Sequence, residues 1–136
     1  MTDFQNVTTN NFVNICESAS GVFGALLGEV RELSKKKPDA TLSKSKVTLI
    51  NNVLSDLNVF LKGEPEGKYL NVLEDDELPQ VSDALMMMAQ FESALRSFRK
   101  RYYQLVKLGH LHSREHFWIT EEQVKEWEDD GVKVIL

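Results

Sequence analysis

Apolar positions recur at helical spacing along most of the chain. Phe12, Ile15, Ala19, Val22, Leu26, Val30 and Leu33 are three or four residues apart, the repeat of one helical face, and predict a helix from about Asn10 to Lys35. The polar, aperiodic stretch before it (residues 1–9) reads as a flexible start whose last Thr or Asn caps that helix. Lys36-Lys37-Pro38-Asp39 should stop it, because proline disfavours helical geometry in the residue before it.

A second helix is predicted from about Thr41 to Lys62. Val47, Ile50, Leu54, Leu57 and Leu61 make one row, and Ile50, Val53, Leu57 and Phe60 an adjacent one, so this helix should pack against two neighbours. Gly63-Glu64-Pro65-Glu66-Gly67 ends it. Tyr69, Leu70, Val72 and Leu73 suggest a short helical turn, followed by the acidic loop Glu74-Asp75-Asp76-Glu77.

The third helix opens at Leu78-Pro79 and has the most regular stripe: Val81, Ala84, Met88, Phe91, Leu95, Phe98, Tyr102 and Leu105, which predicts helix up to Gly109. Such a heptad suits an intramolecular bundle or a two-chain coiled coil. Met86-Met87-Met88 spans about 200° of a helix, so at least one methionine falls off the stripe.

Beyond Gly109 the pattern changes. His116-Phe117-Trp118-Ile119 reads as extended, Thr120-Glu121-Glu122-Gln123 as a capping box opening a helix to about Glu128, Gly131 as its stop, and Val132 to Leu136 as a second strand. The expected fold class is mainly α: an antiparallel three-helix bundle over 10–108 with a small C-terminal strand-helix-strand appendage over 109–136, in a single domain.

Composition bounds the class. With 136 residues, 42% hydrophobic and 27% charged, the chain can bury a core without staples. Cys16 is the only cysteine, which excludes an internal disulfide and CxxC pairs, and reads as a small buried hydrophobe. The N-terminus lacks the basic and apolar regions of a secretory signal, and the most apolar window, residues 19–30, is too short to span a bilayer. A cytoplasmic protein with no membrane partner is therefore expected. Gly21, Gly24 and Gly28, with Ala25, read as a place where another helix approaches closely.

The net charge of −5 is a remainder of larger charges. Residues 31–46 carry Arg31, Lys35, Lys36, Lys37, Lys44 and Lys46 against Glu32 and Asp39, and residues 96–107 carry Arg96, Arg99, Lys100, Arg101 and Lys107 with no acid. If the helices run up, down and up, these segments meet at one basic pole, and the acids of residues 64–83 gather at the other. Cations at helix C-termini also complement the macrodipole, which is a purely structural use of the same residues.

No reaction motif stands out. His110, His112 and His116 lie close together but lack cysteine partners or an HExxH spacing, so a metal is not expected. Arg101 to His110 and Arg114 to His116 are not at a spacing that presents both on one helical face for phosphodiester chemistry. The acidic loop lacks the alternating ligands of a calcium site. No P-loop, GxGxxG or GxSxG occurs.

The expected function is accordingly a non-catalytic protein–protein interaction module without cofactor: an adaptor, an inhibitor or immunity-type protein, or a regulatory or assembly factor. It would act through an apolar helical face and the charged poles, and would bind another protein or itself. Met86, Met87, Arg96, Arg99, Lys100, Arg101 and Tyr103 are the candidate partner-binding residues. The alternative is a nucleic-acid-binding accessory subunit using Lys35, Lys36, Lys37, Arg99, Lys100 and Arg101, with Tyr102, Tyr103 and Trp118 able to stack on bases.

Overall fold

The computed structural model of the protein describes residues 4, 6–109 and 111–136. It is mainly helical, 62% helix in four helices, with a small three-stranded antiparallel sheet. The elements are α1 (Asn10–Lys36), α2 (Lys44–Leu61), a 3-10 turn (Pro65–Tyr69), α3 (Val81–Tyr102), β1 (Tyr103–Leu108), β2 (Glu115–Trp118), α4 (Glu121–Asp129) and β3 (Val134–Ile135). The chain divides into two compact units, residues 15–95 and residues 1–14 with 96–136.

In the unit of residues 15–95, α2 buries both predicted rows: Val47, Ile50, Val53, Leu54, Leu57, Phe60 and Leu61 are all in the core. Ser43 caps it by accepting a hydrogen bond from Lys46 N–H at 3.3 Å. At its other end the turn after Leu61 is so tight that a Cβ on Gly67 would lie 2.5 Å from the Lys62 carbonyl oxygen, so only glycine fits.

On α1 the buried row is Cys16, Ala19, Phe23, Leu27 and Val30. This corrects the expected stripe, of which Ala19 and Val30 are buried but Val22 is 51% exposed. The helix carries two apolar rows one residue, or about 100°, apart, and periodicity cannot choose between them. The glycines are corrected too. A Cβ on Gly21, Gly24 or Gly28 would meet nothing within 4 Å, so no helix among the described residues lies against them.

The course of the chain after α2 differs most from expectation. No helix forms over 70–73; instead Leu70 and Leu73 are buried in extended backbone. Asn51, on α2, holds this strip with two hydrogen bonds: Leu73 N–H donates to Oδ1 at 2.7 Å and Nδ2 donates to the Leu73 carbonyl at 2.8 Å. The strip then reaches the α1–α2 connection. There Leu42 N–H donates to the Pro79 carbonyl (2.9 Å), Val81 N–H to Ala40 (2.8 Å) and Ser82 N–H to Pro38 (3.0 Å).

α3 therefore starts where α1 ends and α2 begins, and α2 and α3 leave that end in the same direction, against the up-down-up order. Geometry explains why. Residues 70–79 have a maximum reach of about 33 Å, more than the length of α2, about 27 Å, so even with the bend at 75–77 they can return along it. Of the acids expected at an opposite pole, Asp83 instead sits in the first turn of α3, next to the basic α1–α2 connection. The rise from Asp83 to Arg99 along α3 is about 24 Å.

In the other unit α3 ends at Tyr102, and residues 103–108 are not helix but the central strand β1. β2 pairs with β1 in the register Tyr103↔Trp118 to Val106↔Glu115, and β3 pairs on the other side with Leu108↔Val134. The expected strands are thus both present, joined through one that the heptad had hidden.

α4 covers one face of this sheet. Val106, Ile119, Trp127 and Val134 form its core, with Phe4, Val7, Leu108, Phe117, Val124 and Val132 around them. Thr120 caps α4 as the capping box predicts, accepting from Gln123 N–H at 3.0 Å, and Gly131 at φ 67° stops it. Thr8 is buried and ties the start of the chain to this unit: its N–H donates to Ile119 and its carbonyl accepts from Glu121. Thr9 Oγ1 caps α1 by accepting from Phe12 N–H, and Asn10 N–H donates to the Glu122 carboxylate, an anion at a helix N-terminus.

Candidate functional site

Two surfaces stand out, one in each unit. The first is a groove between α1 and α2. Toward the end of α1 it has a volume of about 720 Å³, with Ala25, Leu26, Leu33, Leu42, Leu49 and Ile50 among its lining residues. Toward the end of α2 the same two helices border a second recess of about 490 Å³, lined by Ile15, Ala19, Val22, Val53 and Val59 with the polar Ser18 and Asp56. The row of α1 that sequence periodicity expected in the core supplies much of this wall. Leu49 is 50% exposed, and Val22 and Val59 are also large and exposed. Single exposed hydrophobics are ordinary, but a run of them along one groove marks a contact surface. Glu29, Glu32, Lys36 and Lys46 border the larger recess.

The second surface is the face of the sheet away from α4. Alternation along the strands and the register put Tyr103, Leu105 and Lys107 of β1, His116 and Trp118 of β2 and Ile135 of β3 on it. The Tyr103 and His116 rings are stacked at 5.0 Å, and Trp118 is tilted against Tyr103 at 5.1 Å. Tyr103 is 44% and Leu105 45% exposed.

The residues singled out in the sequence are scattered relative to these surfaces. Met86 is 69% exposed and Met87 lines a shallow recess against the 71–79 strip, while Met88 is buried. Arg96, Arg99, Lys100 and Arg101 lie at the end of α3, where the macrodipole favours cations, and Gln104 Nε2 donates to the Lys100 and Arg101 carbonyls there. Lys35 and Lys36 end α1 in the other unit, with Lys37 just beyond, and Lys35 pairs with Glu32 at 3.0 Å.

Tyr103 is the predicted contact residue that falls on a well-formed surface, for a reason the sequence reading did not supply, since it had been placed on a helix. Periodicity missed Leu49, Val59, His116 and Lys107, because it finds what is buried and these are what burial leaves out.

His110 lies outside the described residues. His112 and His116 are exposed, and no group of three or more His, Cys, Asp or Glu among the described residues is placed to hold a metal ion. Cys16 is buried and free. No helix among the described residues is long and apolar enough to cross a membrane. Comparison of the chain with protein-family models, curated proteins and solved structures finds no match.

Proposed function

We propose that the protein is a non-catalytic protein–protein interaction module that receives an amphipathic helix of its partner in the α1–α2 groove. The observation that carries this reading is the pair of mainly apolar recesses along α1 and α2, one with Val22 and Val59 and one with Leu26, Leu33 and Leu49. The scaffold is a three-helix bundle of α1, α2 and residues 81–95 of α3, and the groove is the place a fourth helix would fill. Its length, about that of α2, suits a helix of four to five turns.

Ala25 and Gly28 border the groove, and Gly28 has open space where a Cβ would be, so an incoming backbone can come close. Glu29, Glu32, Lys36 and Lys46 on its border offer charges of both signs to polar side chains flanking the apolar face of the incoming helix. Burying a side chain such as Leu49 supplies about 1.5–3 kcal/mol when complete, and a few such anchors carry most of an interface.

A selection of amphipathic helical peptides displayed on a surface tests the reading. Peptides that bind the protein should lose at least tenfold in affinity to Leu49→Lys and to Leu26→Lys, and should keep their affinity for Lys125→Ala on α4. Failure to obtain a peptide sensitive to the groove variants refutes the groove as the contact surface.

A further inference from the structure

The exposed sheet face lies in the other unit and is independent of the α1–α2 groove. We propose that it binds single-stranded nucleic acid, with bases stacked on the Tyr103–His116 pair and phosphates held by Lys107, Arg114 and Lys133.

Three observations combine. The aromatic rings lie on an exposed face of antiparallel sheet, with Trp118, Tyr103 and His116 already in contact, so a base placed on the exposed His116 ring extends an existing cluster without ordering new groups. Cations then sit around it. Lys107 is on the same face, opposite Ile135, and Arg114 directly precedes β2; Lys133, just before β3, is at the edge of the sheet, where it also borders the recess lined by Phe4, Trp127 and Glu128. None of these three cations is in an ion pair among the described residues.

Most acids of this unit belong to α4, with Asp130 at its C-terminal end. Glu121, Glu122, Glu126, Glu128 and Asp129 belong to α4, which packs on the opposite face through Val124 and Trp127. Glu115, the acidic residue within the strands, pairs with Val106, whose side chain is in the core on α4's side. A net charge of −5 for the whole chain therefore does not oppose a polyanion at this face.

The chemistry also separates the candidate ligands. An acidic peptide would use the cations but gain little from stacked rings, whereas an unpaired base offers a planar surface at each nucleotide. Duplex is disfavoured, because its bases are already stacked on one another. Recognition should be tolerant of sequence, since the side chains offered are π-faces and point charges rather than a fork that reads base edges.

The experiment is fluorescence anisotropy of the full chain with labelled 12-mers of oligothymidine, of mixed-sequence RNA and of the matching DNA duplex, at several salt concentrations. Single strands should bind more tightly than duplex, with a log–log salt slope of about −2 for three phosphate contacts. Tyr103→Leu should weaken single-strand binding about tenfold or more while Tyr103→Phe keeps it. The double variant Lys107→Ala/Lys133→Ala should flatten the slope, and Tyr69→Ala, exposed in the other unit, should change nothing. The retained binding of Tyr103→Phe shows that the fold tolerates change at this position.

Absence of single-strand binding at low salt overturns the proposal. So does binding that survives Tyr103→Leu but is lost on replacing Lys35, Lys36 and Lys37, which would locate it at the end of α1. Equal binding of a poly-glutamate peptide, unaffected by Tyr103→Leu, overturns it in favour of an acidic protein ligand.

Discussion

Two asparagines on α2 look equivalent in the sequence and have opposite surroundings. Asn51 supplies the extended strip at Leu73 with both a donor and an acceptor, replacing the partner strand that the strip lacks. Asn58 Oδ1 is buried with no hydrogen-bond partner among the described residues. Leaving a buried polar group unsatisfied costs about 1–3 kcal/mol. Asn51→Ala should therefore destabilise the protein by about 2–3 kcal/mol in urea denaturation, while Asn58→Leu should be neutral or stabilising. Equal losses for the two would show that the Leu73 contacts contribute no more than ordinary packing. The cationic residues make the same point. Arg99 and Lys100 are prominent in sequence, yet their position at a helix C-terminus already has a dipole explanation, whereas Lys107 is inconspicuous and falls on an open sheet face.

For the individual elements, the predicted helix ends agree closely where a local signal sets them. Thr120 caps α4 and the breaker cluster after Leu61 ends α2, as expected, whereas α2 starts at Lys44 behind a Ser43 cap, later than the expected Thr41. Agreement fails where two periodicities coincide. Tyr102 and Leu105 continue the heptad of α3, but Gln104, Val106 and Leu108 also alternate with Tyr103, Leu105 and Lys107 as a strand does, and pairing with both β2 and β3 decides in favour of the strand. The glycines of α1 are a further property of an element. With open space at each, Gly24→Ala should raise stability by about 1 kcal/mol through helix propensity. Thermal melting reads this directly, and a loss would reveal a close contact at Gly24. Gly67→Ala should do the reverse, since its Cβ would collide with backbone.

At the scale of the molecule, the length of the 70–79 strip fixes the direction of α3. Deleting residues 74–77 would leave about 7 Å of chain between Leu73 and Pro79, against about 10 Å of rise from Lys44 to Asn51 on α2. The Asn51 contacts and the pairing of residues 38–42 with 79–82 could not then both persist. The deletion should cost several kcal/mol in denaturant unfolding and broaden the transition, although it removes only exposed residues or their neighbours. A variant as stable as the parent would show that α3 can reach its place by a shorter route. Direction matters for function because it decides which charges meet. With α2 and α3 leaving one end together, Asp83 in the first turn of α3 lies near the basic α1–α2 connection.

The sequence by itself determined that α1, α2, α3 and α4 are helices, where α1 and α2 stop, the cap and stop of α4, the double buried row of α2 and the burial of Cys16. Each of these depends on residues a few positions apart, so spacing and local chemistry are enough. The face that α1 turns inward, the strand concealed at the end of α3, the shared direction of α2 and α3 and the two uncovered surfaces were decided only by the tertiary structure. Those features depend on which of two equally apolar rows finds a neighbour, and on whether a loop is long enough to return. The residues now assigned to contact are the ones left over when that choice is made, and a leftover cannot be recognised before the packing that leaves it.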